Sequence, residues 1–72
     1  MDSVIEIQIV TPHLTLGQLL KLADVITNGG QAKSFLAEHE VKVNGENDNR
    51  RGRKLYPGDM VEVVGKRFRI VA

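Results

Sequence analysis

Thr15-Leu16-Gly17-Gln18-Leu19-Leu20-Lys21-Leu22-Ala23 is the stretch on which the fold turns. Thr15 can cap a helix, and Gln18 stands three residues on, where its side chain can reach back to the cap as in a capping box. Leu14 and Leu19 occupy the hydrophobic-staple positions around that box. Leu16, Leu19, Leu20 and Ala23 form one apolar stripe at helical spacing, which predicts a short amphipathic helix. Asn28-Gly29-Gly30 is its predicted stop, with glycine available for a positive φ. A second helix is predicted from about Gly30 to Glu38, because Ala32, Phe35, Leu36 and His39 recur with helical period. Such a helical hairpin must bury its stripe against something else.

Strands on either side supply that surface. Val4 to Val10 alternates, with Ile5, Ile7 and Ile9 on one face and Glu6 and Gln8 on the other, until Thr11-Pro12 ends the strand. Val41-Lys42-Val43 alternates into Asn44-Gly45, a strong hairpin-turn dipeptide. Glu46 to Lys54 shows no buried pattern and is expected to be an exposed loop or loose strand. Leu55 re-enters the core, Pro57-Gly58-Asp59 makes a turn, and Val61 and Val63 alternate around Glu62. Gly65-Lys66 is the next predicted turn, before Phe68 and Ile70 alternate with Arg67 and Arg69 in a last strand. The expected fold class is α+β: a small single domain over residues 1–72, with an N-terminal strand and a two-helix hairpin packed on a small antiparallel or mixed β-sheet.

Composition narrows the class further. A chain of 72 residues has no room for a second core. It has no cysteine, which excludes disulfides and thiolate zinc sites. No secretory signal and no stretch long enough to span a bilayer is visible, so a soluble cytoplasmic protein is expected. Charge is distributed unevenly. Residues 1–48 carry three Lys/Arg against seven Asp/Glu, whereas residues 49–72 carry seven against two. Arg50, Arg51, Arg53 and Lys54 crowd into five positions, as expected of a surface that meets a polyanion. Arginine outnumbers lysine there three to one, and its planar fork suits phosphate oxygens.

Other residues extend the candidate surface. Lys33 falls on the exposed side of the second helix near its N-terminus, where the helix dipole also favours a phosphate, and Gln31 and Ser34 could donate hydrogen bonds beside it. Lys42 faces away from Val41 and Val43, and Asn44 belongs first to its turn; both complete the candidate RNA contacts. Arg67 and Arg69 share one face of the last strand, where they either extend the basic patch or guard an edge strand against pairing, the second being favoured. Phe35 and Phe68 fit apolar stripes, which leaves Tyr56 alone free to stack on a base. Readers of single strands need two or three exposed aromatics, so recognition is expected to rest on backbone and shape.

The order and spacing of these blocks resemble a known family. The leucine-rich first helix, Gly30-x-Ala32-Lys33, Val41-x-Val43-Asn44-Gly45 and Pro57-Gly58-Asp59-x-Val61-x-Val63 are similar to the S-four RNA-binding domain, named after ribosomal protein four of the small subunit. The match runs over residues 15–64. Leu16-Gly17-Gln18-x-Leu20-Lys21-Leu22-Ala23 and Asn49-Arg50-Arg51-Gly52-Arg53-Lys54-Leu55 resemble its short stand-alone bacterial members of the YaaA type. Many members place an arginine early in the second helix, where this chain has Gln31 and Lys33, and often a glycine where it has Glu40. The resemblance implies the αL-type fold, presenting the second helix and the following hairpin loop to structured RNA, often ribosomal.

An enzyme is not expected. His13 and His39 are separated by the helical hairpin, and a packed histidine is the simpler reading of His39 in its stripe. No nucleophile is paired with a base, no phosphate loop has its lysine spacing, and no ligand spacing gathers a metal. The expectation is an RNA-binding module without cofactor, metal, membrane or small-molecule substrate. Its partner would be ribosomal RNA or a ribosome-associated particle. The alternative is a protein-interaction adaptor whose basic loop docks on an acidic partner. Joint substitution of Arg50→Glu and Arg53→Glu is expected to abolish RNA retention with the fold intact.

Overall fold

The computed structural model describes residues 3–28 and 30–72. The predicted capping box is present. Gln18 N–H donates to Thr15 Oγ1 at 3.3 Å, and Thr15 N–H donates to Gln18 Oε1 at 2.9 Å. It opens α1 (Leu16–Leu22), whose Leu16, Leu19 and Leu20 are fully buried.

That helix ends at Leu22, well short of Asn28. Its C-cap is Ala23, and Asp24 follows in the left-handed region with φ 60°. Val25 N–H donates to Leu20 O at 3.0 Å and Asp24 N–H to Lys21 O at 3.2 Å. These two bonds define a Schellman motif with aspartate in the position glycine usually takes. The expected stop at Asn28-Gly29-Gly30 is therefore displaced. Gly29 lies outside the described residues, and Gly30 has ordinary helical geometry with φ −69°.

The second helix, α2 (Gln31–Glu38), buries Ala32 and Leu36 and half-buries Phe35. His39 does not continue the stripe. It caps the helix in extended geometry, is exposed, and stacks on Phe35 with ring centroids 4.4 Å apart.

Among the described residues, seven strands complete the fold: β1 (Val4–Gln8), β2 (Leu14–Thr15), β3 (Val41–Val43), β4 (Glu46–Asn47), β5 (Lys54–Leu55), β6 (Met60–Val63) and β7 (Lys66–Val71). Five form a mixed sheet in the order β1-β7-β6-β3-β4, with β1 and β7 parallel, and β2 pairs with β5 in a separate antiparallel ribbon. In β1 Ile5 is exposed and Ile7 half-buried, and Ile9, just past the strand's end, is buried, so this segment runs from the rim into the core. Asn44-Gly45 turns β3 into β4 with φ 53° and 84°, the type I′ signs. The β6–β7 turn is Val64-Gly65, one residue before the expected Gly65-Lys66, because Lys66 already pairs with Val63.

The inner face of the sheet (Val41, Val43, Val61, Val63, Phe68, Ile70) packs with the leucines of α1 and with Ala32 and Leu36 in one core. Arg67 and Arg69 lie on the outer face. They do not guard an edge, since β7 sits between β1 and β6; Arg67 Nε is 3.9 Å from Glu62 Oε1, and Arg69 is in register with Glu6. The left-handed Asp24 yields a direct test of the helix stop. Asp24→Gly removes a steric cost of about 1 kcal/mol and is expected to raise the melting temperature by roughly 4 °C or more, measured by circular dichroism.

Candidate nucleic-acid interface

The basic loop does not hang free; it closes the start of α1. A helix leaves its first N–H groups without intrahelical partners. Here Leu16 N–H donates to Arg53 O at 2.8 Å and Gly17 N–H to Arg51 O at 2.9 Å. The β2–β5 ribbon supports this docking, with Leu14 opposite the fully buried Leu55 and Thr15 opposite Lys54. Gly17 is where three segments meet. A β-carbon there would lie 3.3 Å from Arg51 O and 3.6 Å from both Ala32 Cβ and Arg51 Cβ. The loop and the first turn of α2 therefore adjoin, and Lys33 follows Ala32 directly.

A single carboxylate organises the loop. Asp48, whose side chain is only 7% exposed, accepts from Arg50 N–H at 2.9 Å, Arg50 Nε at 3.1 Å, Arg50 Nη2 at 2.9 Å and Arg53 Nη1 at 2.8 Å. The Arg50 side-chain hydrogen bonds, joined by those from its backbone and from Arg53, hold the Asp48 carboxyl well below the usual carboxylate range even though burial opposes its charge. Residues 48–54 keep a formal charge of +3. Arg51 and Lys54 are exposed and make no ion pair among the described residues. Charge reversal at Arg50 and Arg53 would put three carboxylates together at Asp48. It would attack the loop's own architecture, and so cannot separate binding from folding as the sequence suggests.

The remaining candidates divide. Lys33 and Ser34 are exposed on α2. Gln31 is occupied at its oxygen: Oε1 accepts from Thr27 N–H at 2.6 Å, Thr27 Oγ1 at 2.8 Å and Asn28 N–H at 3.3 Å, while Asn28 Oδ1 accepts from Gln31 N–H at 3.2 Å. These bonds close a turn from Thr27 to Gln31 ahead of α2, whose N-cap, Gly30, has no side chain to offer. Asn44 ties its turn to the next one, donating from Nδ2 to Asp59 Oδ1 at 3.2 Å and accepting from Met60 N–H at 3.0 Å. Lys42 lies on the outer sheet face, with Nζ 3.8 Å from Glu40 Oε1. Lys21, which the helical pattern alone does not single out, lines a cleft with Thr15, Gln18, Ala32 and Arg51. Only the docking of a distant loop brings it there.

A family model for the S4 domain matches residues 7–71. The chain belongs to the S4 domain family. This is an RNA-binding domain. Among curated proteins, the Bacillus subtilis (strain 168) "Probable ribosome maturation protein RlbA" is 70% identical over 59 residues, covering 82% of this chain and 83% of its own length. The Escherichia coli (strain K12) "Putative RNA-binding protein YbcJ" is 39% identical over 61 residues, covering 85% of this chain and 87% of its own length. No helix among the described residues of this S4 domain is long and apolar enough to cross a membrane.

Asp48 makes the S4 loop acid-sensitive in a defined sense. A carboxyl whose pKa is lowered by folding contributes stability that is complete above its unfolded value, near 4, and is lost as pH falls through the folded one. The stability difference between wild type and Asp48→Asn, from urea melts, should be constant between about pH 7 and pH 5 and shrink as pH drops below about 4. A gap unchanged at pH 3 would mean that the carboxylate's charge does not hold the loop.

Proposed function

We propose that this S4 domain binds structured RNA, ribosomal RNA or a ribosome-associated particle, through phosphate contacts from the loop at residues 50–54 and the first turn of α2. The observation that carries this reading is the pair of backbone bonds from Leu16 and Gly17 to the carbonyls of Arg53 and Arg51. They dock the loop on the start of α1, where Gly17 also meets Ala32 of the first turn of α2. Arg51, Lys54 and Lys33 are the principal phosphate ligands, with Lys21 and Ser34 beside them. Arg50 and Arg53 contribute field while keeping their forks on Asp48. Gln31 and Asn44 act through the backbone they hold, and Lys42 is peripheral. RlbA's name, which refers to ribosome maturation, agrees with a ribosomal partner and with work in the cytoplasm.

Substitution of Arg51→Glu together with Lys54→Glu leaves Asp48 and its partners in place. That variant should lose RNA retention while its circular dichroism and melting stay near wild type. With about five phosphates neutralised, wild-type log affinity should fall against log salt with a slope near −3.5 to −4.5, and the variant's slope should be shallower by roughly 1.4 to 1.8. Undiminished binding by the variant would remove the loop from the interface. Nuclease digestion separates the adaptor alternative: an RNA-held domain leaves its native assemblies when RNA is cut, and an adaptor stays.

A further inference from the structure

Arg50, Gly52, Arg53, Lys54, Tyr56 and Asp59 line one open cleft at the exit of the basic loop. Tyr56 is the aromatic of this cleft, and 49% of it is exposed. Its backbone is fixed from both sides. Tyr56 N–H donates to Asp59 Oδ2 at 2.8 Å, and Asp59 N–H donates back to Tyr56 O at 2.9 Å. The same turn is fastened to β7, with Gly58 N–H on Ile70 O at 2.8 Å and Ile70 N–H on Asp59 O at 3.0 Å. His13 leans on the ring, its centroid 5.9 Å away and its plane tilted by 52°. Nothing lies within 4 Å of where a side chain on Gly52 would begin, so the cleft is unobstructed at that residue.

We infer that Tyr56 is a stacking platform for one unpaired nucleobase of the bound RNA, beside the cations that hold the flanking phosphates. This deepens the proposed function and rests on it. A rigid ring loses little freedom on binding, and base–aromatic stacking tolerates any base. One platform takes one base. The fitting ligand is thus a helical RNA with a single nucleotide out of the stack, not an extended single strand. The half-buried Phe35 and exposed His39, stacked on each other, lack this setting: the groove beside His39 is lined by Leu36, His39, Glu40, Val41, Asp48 and asparagines, with no lysine or arginine.

The chain has one tyrosine and no tryptophan, so its tyrosine emission reports on Tyr56 alone. The test uses two hairpin RNAs that differ only by one unpaired purine. Wild type should bind the bulged hairpin more tightly, and only that RNA should quench the tyrosine emission. Tyr56→Ala should weaken bulged-RNA binding by about 5- to 150-fold and leave the perfect hairpin unaffected, whereas Tyr56→Phe and His39→Ala should behave as wild type. Equal, salt-dependent binding of both hairpins by wild type, or a preference that survives in Tyr56→Ala, overturns the platform while leaving the phosphate grip standing. Binding of neither RNA overturns the grip and the platform together.

Discussion

The start of α1 is the constraint around which this molecule is arranged. Four N–H groups there need partners that the helix cannot supply. Two are met locally, Thr15 N–H by Gln18 Oε1 and Gln18 N–H by Thr15 Oγ1. The other two, on Leu16 and Gly17, are met by carbonyls of the basic loop. A loop dense in like charge would otherwise swell away from the protein. Here its backbone is indispensable to a helix whose leucines fill the core, and its position follows from helix physics more than from its own charge. The helix start is consumed in the process, its free N–H groups taken up by the loop's own carbonyls.

Fixing the backbone does not remove the repulsion between the cations, and Asp48 does that work. It draws Arg50 and Arg53 onto one nearly buried carboxylate and leaves Arg51 and Lys54 unpaired among the described residues. Four residues that look alike in sequence therefore fall into two pairs with different duties. Gly17 completes the arrangement through absence: a β-carbon 3.3 Å from Arg51 O would press on the bond that docks the loop. Loop position, helix start and α2 contact all pass through that one residue.

What could be read in advance follows from how local each determinant is. The capping box and the Asn44-Gly45 hairpin depend on neighbours within a few positions, and both stand in the structure. The stop of α1 was equally local but chemically disguised, because aspartate at position 24 takes the left-handed geometry that glycine would advertise. The role of Asp48 leaves no periodic mark, since its partners lie two and five residues away in irregular chain. The place of Lys21 in its cleft and the interior, non-edge place of β7 are long-range outcomes. Parallel pairing of β1 with β7 joins the two ends of the domain, and no alternation pattern within either strand encodes it.

The outer sheet face explains how so small a net charge can still aim a field. Across it, Arg67 meets Glu62, Lys42 meets Glu40, and Glu6 stands in register with Arg69, so positive and negative charges alternate over a few ångströms. Beyond a Debye length of about 8 Å such a mosaic is nearly silent. Within residues 48–54, by contrast, Asp48 stands against four cations and leaves a formal excess of +3. The positive excess of the chain is thus concentrated in one short segment, although the whole chain sums to only +1.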